Sequence, residues 1–220
     1  MKDLLIVGNW KENKTLAEAK IFINDFAGNY MPRLGVTVVV CPSYLQVPEV
    51  SAILSTNNIS AVNIGVQDLS ELEGGAHTGE VSPRQVAEFA KYSIIGHSER
   101  RAAGQTDEDV SRKVDLAFKN NIVPIVCVVN ENVPIPKTTK IVAYEPIEAI
   151  GTGRPDNPVN ANEIARQIRI KNPNVETVLY GGSVTSGNVK SFTDQEFISG
   201  VLVGTASLEA REFSSIIKNA

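Results

Sequence analysis

Eight short apolar runs recur along the chain, and each is followed by a turn. The runs are rich in β-branched residues and are too apolar to face water on one side, a pattern typical of parallel strands buried on both faces. The pattern predicts strands at residues 4–7, 36–40, 60–64, 92–95, 122–129, 141–144, 175–180 and 198–203.

Helix start signals lie between several of these runs. Capping residues that are followed by an acidic residue at the third helical position, or by a proline, predict helix starts at Thr15, Ser82, Thr106 and Asn160. The apolar stripes that we expect to face the core are Leu16, Ala19, Ile23, Phe26 and Tyr30 in one helix, and Val110, Val114 and Phe118 in another.

Strands that alternate with helices favour an α/β fold, either an open doubly wound sheet or a closed eightfold barrel. Only residues 130–139 separate the fifth run from the sixth, and Pro134 and Pro136 lie among them. No full helix fits there, so we expect that helix to be missing or reduced. With no linker-like change in composition, residues 1–220 are predicted to form one domain.

Composition and charge exclude several classes of protein. The 220 residues include 21 Lys+Arg and 25 Asp+Glu, a formal net charge of −4 with no basic run, which argues against nucleic acid as the main partner. Cys41 and Cys127 each end an apolar run, so we expect buried free thiols in a reducing compartment. With no visible signal peptide or membrane span, we expect a cytoplasmic location and no membrane partner.

Polar residues collect where the predicted strands end. In either architecture ligands bind at the carboxyl ends of the strands. Taken alone, each of three residues would be interpreted as an ordinary surface or structural residue: Lys11, Glu145 and His97. Their coincidence at one edge with Asn9 favours a site that combines an ammonium, an imidazole and a carboxylate. With only two histidines in the chain, we expect no multi-histidine metal site.

Three glycine segments follow the last three strands. They are Gly151-Thr-Gly153, Gly181-Gly-Ser183 and Gly204-Thr-Ala206. Glycine lets backbone N–H groups approach an anion closely, and barrels bind phosphate in the loops after strands 7 and 8. The chain lacks the glycine fingerprint of dinucleotide binding, the P-loop and the zinc-protease motif, which argues against those three classes.

Five segments, taken in chain order, closely resemble the triosephosphate isomerases. They are GNWK at 8–11, IIGHSERR at 94–101, AYEPIEAIGTG at 143–153, YGGSV at 180–184 and GVLVGTASL at 200–208. The short form without a fifth helix looks most similar to the archaeal-type branch. The resemblance implies a closed (β/α)8 barrel that interconverts dihydroxyacetone phosphate and D-glyceraldehyde 3-phosphate through an enediolate, in glycolysis and gluconeogenesis, with no cofactor and no metal.

The same resemblance implies roles for individual residues. Glu145 is the general base and His97 the neutral electrophile, an arrangement for which this family is the standard example. Ser98 and Glu99 are expected to support His97, since the helical turn that begins near Ser98 would place its N-terminal dipole beside the imidazole. Lys11 and Asn9 are also expected to be catalytic, because Lys11 supplies positive charge to the substrate phosphate and the developing oxyanion and Asn9 adds a polar contact. The residues expected to bind substrate are Asn9, Lys11, Ile150, Gly151, Gly182, Ser183, Gly204 and Thr205, with 146–153 forming a lid.

Two positions depart from the more common family pattern. Glu148 stands where many members carry Trp in the lid, although archaeal-type members carry an acidic residue. Thr205 replaces the second glycine of a Gly-Gly pair, which leaves the local phosphate geometry open.

The segment 74–80 resembles the protruding loop with which family members reach into a neighbouring active site. Its residues Gly75, His77, Thr78, Gly79 and Glu80 are expected at a subunit interface, and His77 is given no catalytic role. The expectation is a homo-oligomer, a dimer at least, with a tetramer left open. The missing fifth helix is expected to expose apolar barrel surface for a second interface.

Two rival readings are weaker. Another phosphate-binding barrel enzyme, such as a Schiff-base aldolase, needs a buried lysine at the productive end, but Lys140 precedes the sixth strand. A metal-dependent epimerase needs more histidine and aspartate ligands than the chain offers. A non-catalytic barrel would have no physical need to keep His97, Glu145 and Lys11 together.

Overall fold

Eight parallel strands close into one barrel in the computed structural model, which describes residues 2–57, 59, 61–149 and 153–220. The strands pair in chain order and β8 pairs with β1, which confirms the closed barrel over the open sheet. The strands are β1 (Leu4–Asn9), β2 (Val36–Cys41), β3 (Val62–Val66), β4 (Tyr92–Ile95), β5 (Val123–Val128), β6 (Ile141–Tyr144), β7 (Thr177–Tyr180) and β8 (Gly200–Val203).

Helices surround most of the barrel. They are α1 (Leu16–Asn29), α2 (Val47–Thr56), α3 (Pro83–Val86), α4 (Ser98–Ala102), α5 (Asp107–Lys119), α6 (Pro158–Lys171), α7 (Val189–Thr193) and α8 (Ala210–Asn219). Residues 129–140 are all described and contain no helix, as predicted for the connection between β5 and β6. In the part of the chain that the structure describes, no helix combines the length and the apolar character needed to cross a membrane.

The strands bury both of their faces in two separate cores. One core fills the barrel interior and includes Cys41 and Cys127, while the larger one lies between the strands and the helices. Both cysteines are free and buried, as predicted, and burial raises the pKa of each thiol far above its ordinary value. Both thiols therefore stay protonated and pack as small apolar groups.

The connection between β5 and β6 covers the barrel without a helix. Val133 and Ile135 pack against the outer core, and the outward-facing Val126, Val128 and Val142 are at most 1% exposed. The expectation that the missing helix exposes apolar barrel surface is therefore wrong, because an extended segment with two apolar side chains is enough to cover these strands.

Three of the predicted helix caps are confirmed and one is wrong. The side chains of Thr15, Ser82 and Thr106 each accept the backbone N–H three residues later. The last cap is Asn157 rather than Asn160, because Pro158 takes the first position of α6 and its fixed φ suits a helix start. Asn160 lies inside the helix.

The predicted apolar stripes match the buried residues in the central turns of each helix but not at the helix ends. Leu16, the first residue of α1, is 44% exposed, and Phe118, near the end of α5, is 39% exposed. Phe22 and Lys113 are buried instead. A buried lysine does not follow from the hydrophobic pattern, and its explanation lies in a contact with a distant part of the chain.

Lys113 forms a buried ion pair with Asp68, which follows β3. The ammonium lies 2.9 Å from each carboxylate oxygen of Asp68, and Arg100 Nε donates to the same carboxylate at 2.9 Å. The side chains of Lys113 and Asp68 are only 5% and 12% exposed. Removing one partner of such a pair leaves an uncompensated charge away from water.

We predict that Asp68→Ala lowers the free energy of unfolding by about 3–5 kcal/mol, measured by urea denaturation at fixed protein concentration. The matched control is Glu73→Ala, which removes a largely exposed ion pair with Lys119 and should cost at most about 1 kcal/mol. Equal costs for the two variants would contradict a structural role for the buried pair.

Candidate active site

The predicted site residues meet at the carboxyl ends of the barrel strands. Asn9 ends β1, His97 follows β4, Glu145 follows β6, and two glycine segments follow β7 and β8. One cavity of about 410 Å³ is lined by residues that the sequence had singled out: Asn9, Lys11, His97, Glu145, Gly182, Ser183, Gly204 and Thr205. Ile150 and Gly151 lie outside the described residues.

Glu145 and His97 are in direct contact. Nε2 of His97 lies 3.0 Å from Oε1 of Glu145, and the two residues are 5% and 2% exposed. The other carboxylate oxygen accepts the backbone N–H of Ser98 at 3.4 Å. The carboxylate is therefore held between an imidazole and the first turn of α4.

The other nitrogen of His97 fixes its tautomer. Nδ1 accepts the backbone N–H of Glu99 at 3.2 Å, which makes His97 the N-cap of α4. A nitrogen that accepts a hydrogen bond carries no proton, so these partners assign a neutral imidazole with its proton on Nε2. That proton points at Glu145.

The two glycines after β7 make room for their neighbours. A Cβ on Gly181 would lie 2.7 Å from Cγ of Glu145, and a Cβ on Gly182 would lie 2.1 Å from the hydroxyl oxygen of Tyr180. Any side chain at these positions would displace the carboxylate or the tyrosine. Sequence analysis interpreted this pair as part of an anion-binding segment, and the structure adds a steric reason for Gly181 beside Glu145.

Lys11 adopts an unusual backbone conformation. Its φ is +52°, in the left-handed region that a non-glycine residue seldom occupies. Oδ1 of Asn9 accepts the backbone N–H of Lys11 at 3.1 Å, and Nε2 of Gln67 donates to its carbonyl at 2.9 Å. Sequence reasoning missed Gln67 because the third strand was predicted to end at residue 64, whereas β3 extends to Val66 and places Gln67 directly after it. Strained backbone of this kind is typical of functional positions.

The ammonium of Lys11 is paired with Glu99. Nζ lies 2.5 Å from Oε1 of Glu99, and the two side chains are 29% and 56% exposed. Glu99 therefore contacts both predicted polar partners of a substrate, Lys11 through its carboxylate and His97 through its backbone N–H. An anion that enters the cavity would compete with Glu99 for the ammonium.

One residue of the predicted lid and one residue just after it are hydrogen-bonded to residues at the end of β7 and in the loop that follows. Ser183 Oγ donates to the carbonyl of Ala149 at 2.7 Å, and the hydroxyl of Tyr180 accepts the backbone N–H of Asp156 at 2.8 Å. Tyr180 is fully buried, and its ring stacks on Phe192 at 3.9 Å. Sequence reasoning missed Tyr180 because a tyrosine at the end of an apolar strand resembles ordinary core.

Thr205 does not disturb its loop. It begins a 3₁₀ turn, Thr205–Leu208, and its φ is not positive. The backbone conformation at this position therefore does not require glycine, which answers the question raised by its departure from the common Gly-Gly pair.

A second cavity adjoins the first. It has a volume of about 620 Å³, shares Asn9, Lys11 and His97 with the first cavity, and is lined further by residues of the loops after β2, β3 and β4. Of the predicted interface residues, Gly79 and Glu80 line this cavity. Gly75, His77 and Thr78 are exposed and line neither of the two cavities.

The whole chain is similar to known isomerases. A family model described as triosephosphate isomerase matches residues 4–139 and 131–220. Curated proteins named triosephosphate isomerase from Mesomycoplasma hyorhinis, Dehalococcoides mccartyi and Clostridium botulinum are 36%, 37% and 38% identical over 99%, 100% and 99% of this chain. The alignments cover 98%, 98% and 99% of those proteins. The likeness to the archaeal-type branch stays a prediction.

The match extends over every strand of the barrel and includes the residues that meet in the cavity. The chain belongs to the triosephosphate isomerase family and is an aldose–ketose isomerase that interconverts dihydroxyacetone phosphate and D-glyceraldehyde 3-phosphate.

Proposed function

We propose that Glu145 is the general base of this isomerisation, that His97 is its electrophile, and that Lys11 and Asn9 stabilise the charge of the substrate. The observation that carries the proposal is the buried 3.0 Å contact between His97 and Glu145 in a cavity that also contains Lys11. A base and an electrophile within hydrogen-bond distance can act on adjacent atoms of one small molecule.

The reaction moves one proton between neighbouring carbons. Glu145 takes the proton from the carbon beside the carbonyl, and the electron pair of that bond shifts to the carbonyl oxygen to give an enediolate. The hydroxyl proton of the first carbon moves to the former carbonyl oxygen, which becomes the product hydroxyl. The same carboxyl group returns its proton to the carbon that carried the carbonyl, and the carbonyl re-forms on the neighbouring carbon. Glu145 is only 2% exposed, so little water competes for the carboxylate during these two transfers.

His97 supplies the donor that meets the developing negative charge. Its Nε2–H donates to Glu145 in the structure, and a carbonyl oxygen that accepts this hydrogen bond instead would release Oε1 of Glu145 for proton abstraction. The backbone N–H of Glu99 donates to Nδ1 of the neutral imidazole and so fixes the orientation of the Nε2–H donor. The donor is therefore oriented before the charge develops.

The phosphate is expected at the other end of the cavity. Gly182, Ser183, Gly204 and Thr205 line that end, after β7 and β8, where barrels recurrently bind phosphate, and their backbone N–H groups are the proposed donors. The hydroxyl of Ser183 is already bonded to Ala149, so its backbone N–H is the donor that remains for phosphate. Lys11 adds positive charge, and the family resemblance adds Gly151 and Ile150 of the lid.

A homo-oligomer, a dimer at least, completes the proposal. Every residue of 74–80 is exposed, and a 620 Å³ cavity lies beside Asn9, Lys11 and His97. We propose that Gly75, His77, Thr78, Gly79 and Glu80 of one subunit bind in this cavity of the other. The buried free thiols agree with a reducing, cytoplasmic location for this single domain.

We predict that Glu145→Gln lowers turnover by roughly 10²–10⁴-fold, because the amide cannot accept the carbon-bound proton. A coupled assay for D-glyceraldehyde 3-phosphate isomerisation measures the loss, and circular dichroism should show an unchanged fold. The control is Glu88→Gln, an exposed carboxylate just before β4 at the opposite end of the barrel, which should keep full turnover. Turnover of Glu145→Gln within tenfold of the unmodified protein would remove Glu145 as the base.

We predict that Thr78→Arg, which adds bulk and charge to the 74–80 loop, converts the oligomer to a monomer and lowers turnover by about 10²-fold. Analytical ultracentrifugation and the same assay measure the two effects. Thr56→Arg, at the exposed end of α2, is the matched control and should change neither. A fully active monomer of the unmodified chain at micromolar concentration would contradict the proposed assembly.

A further inference from the structure

A carboxylate lies at the proposed phosphate end of the cavity. Among the described residues that line this cavity, the two carboxylates are Glu145 and Glu212. Glu145 has a role at the reacting carbons, whereas Glu212 belongs to α8 and lines the cavity with Ser183 and Thr185. A negative charge beside a phosphate opposes its binding, so the presence of the Glu212 carboxylate at this end of the cavity requires a physical explanation.

Both oxygens of Glu212 are used by one residue of the loop after β7. Oε1 accepts the backbone N–H of Ser186 at 2.7 Å, and Oε2 accepts the hydroxyl of Ser186 at 3.0 Å. Hydrogen bonds to a charged acceptor are stronger than neutral ones, and two of them fix both the position and the orientation of Ser186.

The loop between β7 and α7 also has hydrogen bonds among its own residues and a second one to α8. Nδ2 of Asn188 donates to the carbonyl of Ser183 at 3.0 Å, and Oδ1 of Asn188 accepts the backbone N–H of Thr185 at 2.8 Å. Asn219, at the end of α8, donates to the carbonyl of Ser186 at 2.9 Å. These hydrogen bonds hold the residues of the loop together, and the loop is attached to α8 at Ser186.

The helix that carries Glu212 is fixed to the strand that carries Asn9. Phe213 is fully buried, and a Cβ on Gly8 of β1 would lie 3.0 Å from its ring. Ile216 and Ile217 are also buried in the outer core. Glu212 thus connects the loop after β7 to the part of the barrel wall from which Asn9 and Lys11 extend.

We propose that Glu212 is a positioning residue for the phosphate group of the substrate. By holding Ser186 against α8, it sets the direction in which the backbone N–H groups of Gly182 and Ser183 face the cavity. The carboxylate of Glu212 accepts hydrogen bonds from the two donors of Ser186 and does not itself bind the ligand. The inference rests on the proposed placement of phosphate at this end of the cavity.

Three variants test this role. Glu212→Ala removes both hydrogen bonds. Glu212→Gln keeps them without the charge, since its amide oxygen accepts the backbone N–H of Ser186 while its amide nitrogen donates to the hydroxyl oxygen. Glu209→Gln, an exposed carboxylate just before α8, is the charge-matched control. For each variant we would measure kcat and KM for D-glyceraldehyde 3-phosphate, inhibition by inorganic phosphate, and kcat/KM for D-glyceraldehyde, which lacks the phosphate.

We expect Glu212→Ala to raise KM and the inhibition constant of phosphate by about tenfold, while kcat/KM for D-glyceraldehyde stays unchanged. Glu212→Gln should restore both constants, and Glu209→Gln should match the unmodified protein. An unchanged KM in Glu212→Ala, an equal loss with both substrates, or a lower KM in both Glu212 variants would each overturn the role. If the unmodified protein used D-glyceraldehyde as well as the phosphorylated substrate, the proposed phosphate placement would fail and this proposal with it.

Discussion

The hydrogen bond between His97 and Glu145 depends on the register of three neighbouring strands. β5 pairs with β4 on one side and with β6 on the other, and the carbonyl of Val128 accepts the backbone N–H of Glu145 at 2.8 Å. This pairing brings two residues that are distant in sequence to the same rim, 3.0 Å apart. A slip of one residue in β6 would turn the carboxylate to the other face of the barrel wall.

The chemistry at the rim also depends on close packing and local strain. Gly181 leaves the space that Glu145 occupies, and Lys11 keeps its left-handed backbone because Asn9 and Gln67 hold its N–H and its carbonyl. Glu99 then joins the ammonium to the imidazole. The polar groups therefore constrain one another before a substrate arrives, which lowers the reorganisation needed during the reaction.

Hydrophobic periodicity and helix-capping residues were sufficient to predict most strands and several helix starts, because buried strands and capped helices are local properties of the chain. The strands of 92–95 and 141–144 match their predicted bounds, and Thr15 and Thr106 cap their helices. Other features depend on contacts between distant segments. Lys113 is buried because it forms an ion pair with Asp68. Gln67 acts through its hydrogen bond to Lys11, and Glu212 acts through its hydrogen bonds to Ser186. Val133 and Ile135 cover strands that were expected to be exposed.

The most direct test of the central claim is the protonation state of His97, measured by ¹⁵N NMR of the imidazole in the unmodified protein at neutral pH. His77 is assigned separately by its substitution with Gln. The structure predicts a neutral ring with an unprotonated Nδ1, which accepts from Glu99, and a protonated Nε2, which donates to Glu145. Protons on both nitrogens, or a proton on Nδ1 alone, would contradict the proposed division of roles between the imidazole and the carboxylate.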